Sequence, residues 1–267
     1  MWFTHWGLSR EPFADGGGAY VPLPSHEEAV ARLVHTIDSG GRLAILTAPA
    51  GMGKSRVLAR ALALARSPSR RFALVKNPSD GEELAARLAE KLGVRPNGPG
   101  QAAAWRALER GRRLCALQGL AVVLAVDGRG ELHSREGRRD LLRLVQGGSP
   151  DGGRVTVILT DEAEGWADDP GLRSWTLAIR LRPLSVSEVE LYLATKLAAA
   201  GCREAVITPR AISRLQLLAG GCPRGLDRLG TLCLMAGASR GVEAISSELV
   251  ESIVAECHVP PELALRS

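Results

Sequence analysis

The sequence predicts an α/β fold, a parallel sheet between helices, followed by a smaller all-helical region. Three observations predict it. Short apolar runs alternate with helical patterns over most of the chain, a Gly-rich turn joins one such run to a helix, and beyond Ser185 the periodicity is helical alone.

Residues 1–25 are rich in Gly, Pro and aromatics, lack helical periodicity, and read as an ordered arm crossing a surface. Trp2, Phe3, Trp6, Leu8 and Phe13 need something to pack on. Ser25 and Glu28 have the S-x-x-E spacing of a capping box, so a helix should run through Ala29, Leu33 and Ile37 and end near Gly40-Gly41. Leu43-Ala44-Ile45-Leu46 reads as a buried strand that feeds the Gly-rich turn and then a helix from about Lys54 to Ala65. Phe72 to Val75 is a second strand, followed by a helix with Leu84, Leu88 and Leu92. Residues 95–100 form a loop by their turn chemistry, and the next helix carries Trp105, Leu108 and Leu114. Ala121 to Val126 is a third strand, ending at Asp127. Leu141, Leu142 and Val145 lie on a helix, and Val155 to Leu159 is a fourth strand. Strands alternating with helices imply a parallel sheet covered on both faces. Val189, Tyr192, Leu193 and Leu197, then Ile212, Leu215 and Leu218, then Leu226, Leu229 and Leu232 continue as helices. The expected organisation is an arm over 1–25, an α/β domain over 26–183 and a helical lid over 184–267.

Of the 267 residues, 45% are hydrophobic and 24% charged, which suits a packed core and excludes a disordered chain. No apolar run approaches the roughly 18–20 residues of a membrane span. The opening residues show no basic segment followed by an apolar stretch. The expected location is the cytoplasm, without direct membrane insertion. The five cysteines form no C-x-x-C pair, so a zinc site or a disulfide framework is not expected. Net charge is +5, carried almost wholly by Arg, with lysine at Lys54, Lys76, Lys91 and Lys196 alone. That excess is small for this length.

Ala48-Pro49-Ala50-Gly51-Met52-Gly53-Lys54-Ser55 fits the phosphate-loop pattern G-x-x-x-x-G-K-[ST] everywhere except its first Gly, which is Ala48. Gly51 and Gly53 let the backbone turn its N–H groups toward phosphate oxygens, and the following helix adds its N-terminal dipole. The loop from Gly51 through Met52, Gly53, Lys54, Ser55 and Arg56 should cradle ATP. Lys54 would reach the β and γ phosphates and Ser55 would ligate Mg2+. Asp127, at the end of an apolar strand, could hold Mg2+ through water; capping a strand end is the plainer role for such a residue.

The chain resembles the ExeA-like (general secretion pathway protein A) family of AAA+ ATPases, which are related to transposition ATPases. The resemblance rests on Trp6-Gly7-Leu8, Pro12-Phe13, Tyr20 and His26-x-x-Ala29 at the start, on the phosphate loop and the Asp127 strand, on Arg182-Pro183-Leu184-Ser185 with Glu188, Tyr192, Leu197 and Gly201, and on Gly221-Cys222-Pro223-Arg224. It implies a P-loop AAA+ domain with a helical lid. It implies that Pro12, Phe13 and Tyr20 lie near adenine, and that Arg224 senses the γ-phosphate, as a planar, permanently charged guanidinium can. Self-association and a protein partner in a secretion or envelope-assembly system follow from the same resemblance. The alternatives are a transposition-type ATPase that binds DNA, or a scaffold that does not hydrolyse.

Three departures bear on hydrolysis. Gly128 stands where the family has a water-activating Glu, and losing such a group costs on the order of 10²–10⁴ in rate. Glu131 could swing in, and a Glu restored at 128 would be expected to restore cleavage. Thr160-Asp161-Glu162 replaces the family's Gly-Gln; Thr160 could hydrogen-bond a water, or the segment could be a plain loop. Arg173 is one position from the expected trans arginine, where Ser174 stands, and is either that finger or a solvated residue. The runs Arg110-Gly111-Arg112-Arg113 and Arg135 to Arg143 read as solvated helix faces, or as contacts for nucleic acid.

Overall fold

A computed structural model describes residues 1–14, 20–128, 135–147, 153–162 and 170–256. In chain order the elements are α1 (Trp2–His5), α2 (Pro24–Ser39), β1 (Leu43–Thr47), α3 (Lys54–Leu64), β2 (Arg70–Lys76), α4 (Gly81–Lys91), α5 (Gln101–Leu117), β3 (Ala121–Asp127), α6 (Arg135–Gln146), β4 (Val155–Asp161), β5 (Thr176–Arg180), α7 (Val186–Ala199), α8 (Pro209–Leu218), α9 (Pro223–Ser239) and α10 (Ser247–Glu256). They fall into two compact units. A helical unit holds 1–27, 49–53 and 182–267, and a sheet unit holds 28–48 and 54–181.

The sheet unit is built on five parallel strands in the order β2-β3-β4-β1-β5. In β3 and β4 every residue after the first is buried. Successive side chains on a strand point to opposite faces, so both faces of the sheet are covered, as parallel sheets require. One layer of the core joins Leu124, Val126, Val157 and Leu159 to Trp105, Leu84, Leu88 and Leu141 from the helices. The start of α4 is fixed by Asp80, whose Oδ1 accepts the Glu83 amide at 2.7 Å.

The fifth strand, β5, was not expected. It is an edge strand whose one buried residue is Ile179, and its apolar run, Leu177-Ala178-Ile179, is shorter than those of the central strands. The reading of Arg110–Arg113 as a solvated face also fails at Arg112. That residue is 3% exposed, and its Nη2 donates to the Leu144 carbonyl at 3.1 Å. Burial pulls its pKa down to about 10. Arg143 does lie at the surface, stacked over the Trp105 ring at 4.5 Å and paired with Glu109 at 3.0 Å.

The helical unit packs Trp6, Leu8 and Phe13 of the N-terminal segment among Leu193, Leu226, Leu234 and Val250. Trp6 Nε1 donates to the Leu234 carbonyl at 2.8 Å, which satisfies the one polar atom of a buried ring. The segment read as non-helical does hold one helical turn, α1, too short to leave a periodic pattern. The Ser25–Glu28 capping box is not formed. The helix already begins at Pro24, and the Ser25 amide donates to Glu188 Oε1 at 2.9 Å, an acid far away in sequence. The capping box that exists is Ser185 with Glu188, at the start of α7. Cys115, Cys202, Cys222 and Cys233 are buried. Among the described residues, no helix is long and apolar enough to cross a membrane.

Candidate functional site

In the sheet unit the polar residues collect at the C-terminal edge of the strands. The register sets Thr47 of β1 beside Asp161 of β4, Thr160 beside Asp127 of β3, and Asp127 beside Lys76 of β2. Ligands of open parallel sheets bind outside this edge.

Ser55 and Asp127 meet there. Ser55 Oγ donates to Asp127 Oδ1 at 3.0 Å, and Thr160 Oγ1 donates to the same oxygen at 2.7 Å. Thr160 also accepts the Gly128 amide at 3.0 Å and is 0% exposed. Its single proton is therefore committed to Asp127, and it acts as a brace for that carboxylate rather than as a contact for water. Asp127 is 5% exposed, so these two hydroxyls replace much of its lost solvation. A hydroxyl beside a carboxylate fits a hard cation that takes its remaining ligands from water and phosphate oxygens.

Lys54 donates from Nζ to the Ala48 carbonyl at 2.7 Å and lies 3.8 Å from Glu162 Oε1, with its side chain 11% exposed. The lysine thus faces back over the loop onto the residue that replaces the first Gly. Ala48 does not need left-handed backbone: among the described residues, Asn77 is the one non-glycine residue with positive φ. Ala is therefore tolerated there. Gly51 and Gly53, at φ 83° and 88°, do need glycine.

In the helical unit, loop residues 49–53 lie against the start of α9. The Arg224 amide donates to the Gly51 carbonyl at 3.3 Å. A Cβ on Gly51 would come within 2.8 Å of Arg224 Cβ and 2.9 Å of Cys222 Sγ, so this approach also excludes a side chain. The Arg224 side chain is exposed in the first turn of α9, behind Pro223 at the first helical position. Met52 is buried and Arg56 half-buried. Pro12 and Phe13 are buried in the helical unit and Tyr20 is half-buried. Phe13 packs against Gly230, where a Cβ would meet its ring at 2.8 Å, and its ring lies 5.8 Å from Lys196 Nζ. Arg173 is exposed on a single 3-10 turn, Arg173–Trp175. Glu131 lies outside the described residues.

Two further residues touch these groups, His26, which the sequence offered only as part of the resemblance, and Asn77, which it did not single out. His26 is buried, with its Cε1 3.1 Å from where a Cβ on Gly53 would stand. Burial lowers its pKa below 6.5, opposed by Glu188, by a hydrogen bond with the Met52 backbone and by Glu27. Asn77 follows β2, and its amide donates to the Asp127 carbonyl at 2.8 Å. Its φ is 43°, a left-handed conformation that Asn tolerates better than most residues. Gly128 has φ 109°, and a Cβ built on it would land on Asn77 Oδ1. The space beside Gly128 is thus filled from the neighbouring strand. Asn77-Pro78 reads in the sequence as an ordinary turn, which is why it drew no notice.

Comparisons with known proteins bear on the family and the fold. A family model described as AAA domain matches residues 37–170. General secretion pathway protein A of Aeromonas hydrophila is 29% identical over 256 residues, which are 92% of this chain and 46% of that protein. The chain therefore spans about half the length of this relative. Among solved structures, Drosophila ORC bound to DNA superposes with a TM-score of 0.71 at 14% identity, over 97% of this chain and 67% of that one. Cdc6p from Pyrobaculum aerophilum gives 0.68 at 18% identity, over 92% and 70%. The RuvB Holliday junction branch migration motor of Thermotoga maritima gives 0.57 at 15% identity, over 88% and 70%. At these identities the structural likeness shows the fold.

Proposed function

Because this chain belongs to the AAA domain family, and within it is ExeA-like, we propose that it is a Mg2+-ATP-binding subunit that hydrolyses slowly, so that nucleotide occupancy is what its partner reads. The observation that carries this reading is the braced Ser55–Asp127–Thr160 group standing directly before Gly128. In this proposal Lys54 binds the β and γ phosphates after releasing Ala48 O and Glu162. Ser55 ligates Mg2+, and Asp127 holds it through water. Gly51, Met52, Gly53 and Arg56 shape the rest of the cradle, and Arg224 senses the triphosphate. Pro12, Phe13 and Tyr20 are proposed to lie near the base. What hydrolysis additionally needs is a group that orients or activates water, and residue 128 has no side chain to supply it.

The family likeness supports an ATPase; the secretion or envelope-assembly setting rests on the similarity to general secretion pathway protein A. The proposed location is the cytoplasm. Nucleotide-dependent self-association is proposed to be weak, or to need a partner, because Arg173 is off the position expected of a finger reaching a neighbouring subunit. Light scattering with and without ATP tests this, and a stable hexamer without nucleotide or partner would contradict it. A DNA-binding, transposition-type role is the second reading, which rests on the resemblance to transposition ATPases. It requires DNA affinity that falls steeply with salt.

Calorimetry of ATP binding to the wild type and to Lys54→Ala tests the site itself. The wild type should bind and the variant should not. Equal affinity would show that the site is misassigned.

A further inference from the structure

The space beside Gly128 is occupied rather than empty. Asn77 leaves the end of β2 with left-handed backbone, and its Oδ1 stands where a side chain on residue 128 would begin. Its backbone is tied to the same strand end, through the hydrogen bond its N–H donates to the Asp127 carbonyl at 2.8 Å. The Asp127 carboxylate is in turn held by Ser55 and Thr160. The Asn77 side chain is exposed, so its amide can meet solvent. Positive φ at a non-glycine residue is uncommon, and such residues cluster at functional sites.

From this placement we infer that Asn77 is the water-positioning residue of the site, an amide supplied by β2 in place of the side chain missing from β3. The inference rests on the reading of Lys54, Ser55 and Asp127 as the Mg2+-ATP site. In the step concerned, the water oxygen bonds to the γ-phosphorus as the bond from that phosphorus to the β–γ bridging oxygen breaks. ADP leaves with the bonding pair. The amide oxygen of Asn77 accepts a hydrogen bond from the water and fixes its line of approach. An amide is too weak a base to take the proton, which passes to a γ-phosphate oxygen or to solvent. Orientation without proton abstraction explains how cleavage can be slow and still depend on one residue.

The test uses the whole chain and two substitutions chosen for backbone fit. Asn77→Gly removes the amide and suits φ 43°. Asn77→Asp keeps the shape and offers a base. Single-turnover ATP cleavage should fall about tenfold or more in Asn77→Gly and rise about tenfold or more in Asn77→Asp, within the usual range for general-base catalysis. The gain in Asn77→Asp should disappear as pH falls into the carboxylate range. Affinity for ATP should stay within about twofold in both variants. Affinity for ADP with aluminium fluoride, which mimics the transition state, should weaken about tenfold in Asn77→Gly, because it reports groups that act there. Cleavage by Asn77→Gly at the wild-type rate, or no pH-dependent gain in Asn77→Asp, would overturn the inference. So would a wild type no faster than Asp127→Ala. Failure of the underlying site would look different, as equal ATP affinity in the wild type and Lys54→Ala.

Discussion

Thr160 donates its hydroxyl proton to Asp127 at 2.7 Å, from β4 to the end of β3. The same oxygen accepts the Gly128 amide at 3.0 Å, so one fully buried hydroxyl fixes both the proposed metal-linked acid and the residue after it. Thr160→Val keeps the shape and removes both bonds. Leaving the Gly128 amide and the Asp127 carboxylate short of a partner should cost about 1–3 kcal/mol, or a fall of several degrees in Tm. The Mg2+-dependent part of ATP affinity should weaken several-fold, while metal-free ADP binding should hold. Thermal unfolding and calorimetry check this, and an unchanged Mg2+ dependence would remove Thr160 from the account.

Gly128→Glu is the obvious attempt to restore a base, and the structure predicts that it fails. Its φ of 109° disfavours any side chain, and the Cβ would collide with Asn77. The expected outcome is a lower Tm with no gain in phosphate release. A faster variant would mean that the strand end rearranges freely.

Glu162 lies 3.8 Å from the ammonium of Lys54 and must give way if that lysine takes a phosphate. A partly exposed pair at this distance is worth at most about 1 kcal/mol. Glu162→Gln should therefore raise ATP affinity by up to roughly fivefold. A loss of cleavage without a change in affinity would instead make Glu162 part of the chemistry.

Burial disfavours the charged form of His26 and lowers its pKa from 6.5. Its folded pKa lies below the unfolded one. As pH falls through 6.5, the unfolded chain takes up a proton that the folded chain resists, and stability is lost. Tm should drop between pH 7.5 and 5.5, above the range where carboxylates titrate. His26→Gln should flatten that slope. An unchanged slope would mean that His26 is protonated in the folded chain.

The sheet and the phosphate loop were legible in the sequence because they depend on local signals. Buried central strands leave apolar runs, as in Ala121–Val126, and the loop demands Gly, Gly, Lys and Ser at fixed spacing. The edge strand β5 was not legible, since its apolar run, Leu177-Ala178-Ile179, is too short to stand out from a loop. Nor was the start of α2, where Glu188 takes the Ser25 amide from far along the chain. Arg112 looked like one more surface cation until the fold placed the Leu144 carbonyl beside it. Gly128 could be read as a loss. Its replacement by Asn77 could not, because only strand pairing sets the end of β2 beside the end of β3.

The central claim is that ATP is held firmly and cleaved slowly. Phosphate release under saturating Mg2+-ATP, for the wild type beside Asp127→Ala and Lys54→Ala, tests it most directly. The account predicts a wild-type rate well below 1 s⁻¹, the low end of typical enzyme turnover, yet above that of both variants. A wild-type turnover on the order of 1 s⁻¹ or more would contradict it, and would mean that a full general base acts despite Gly128.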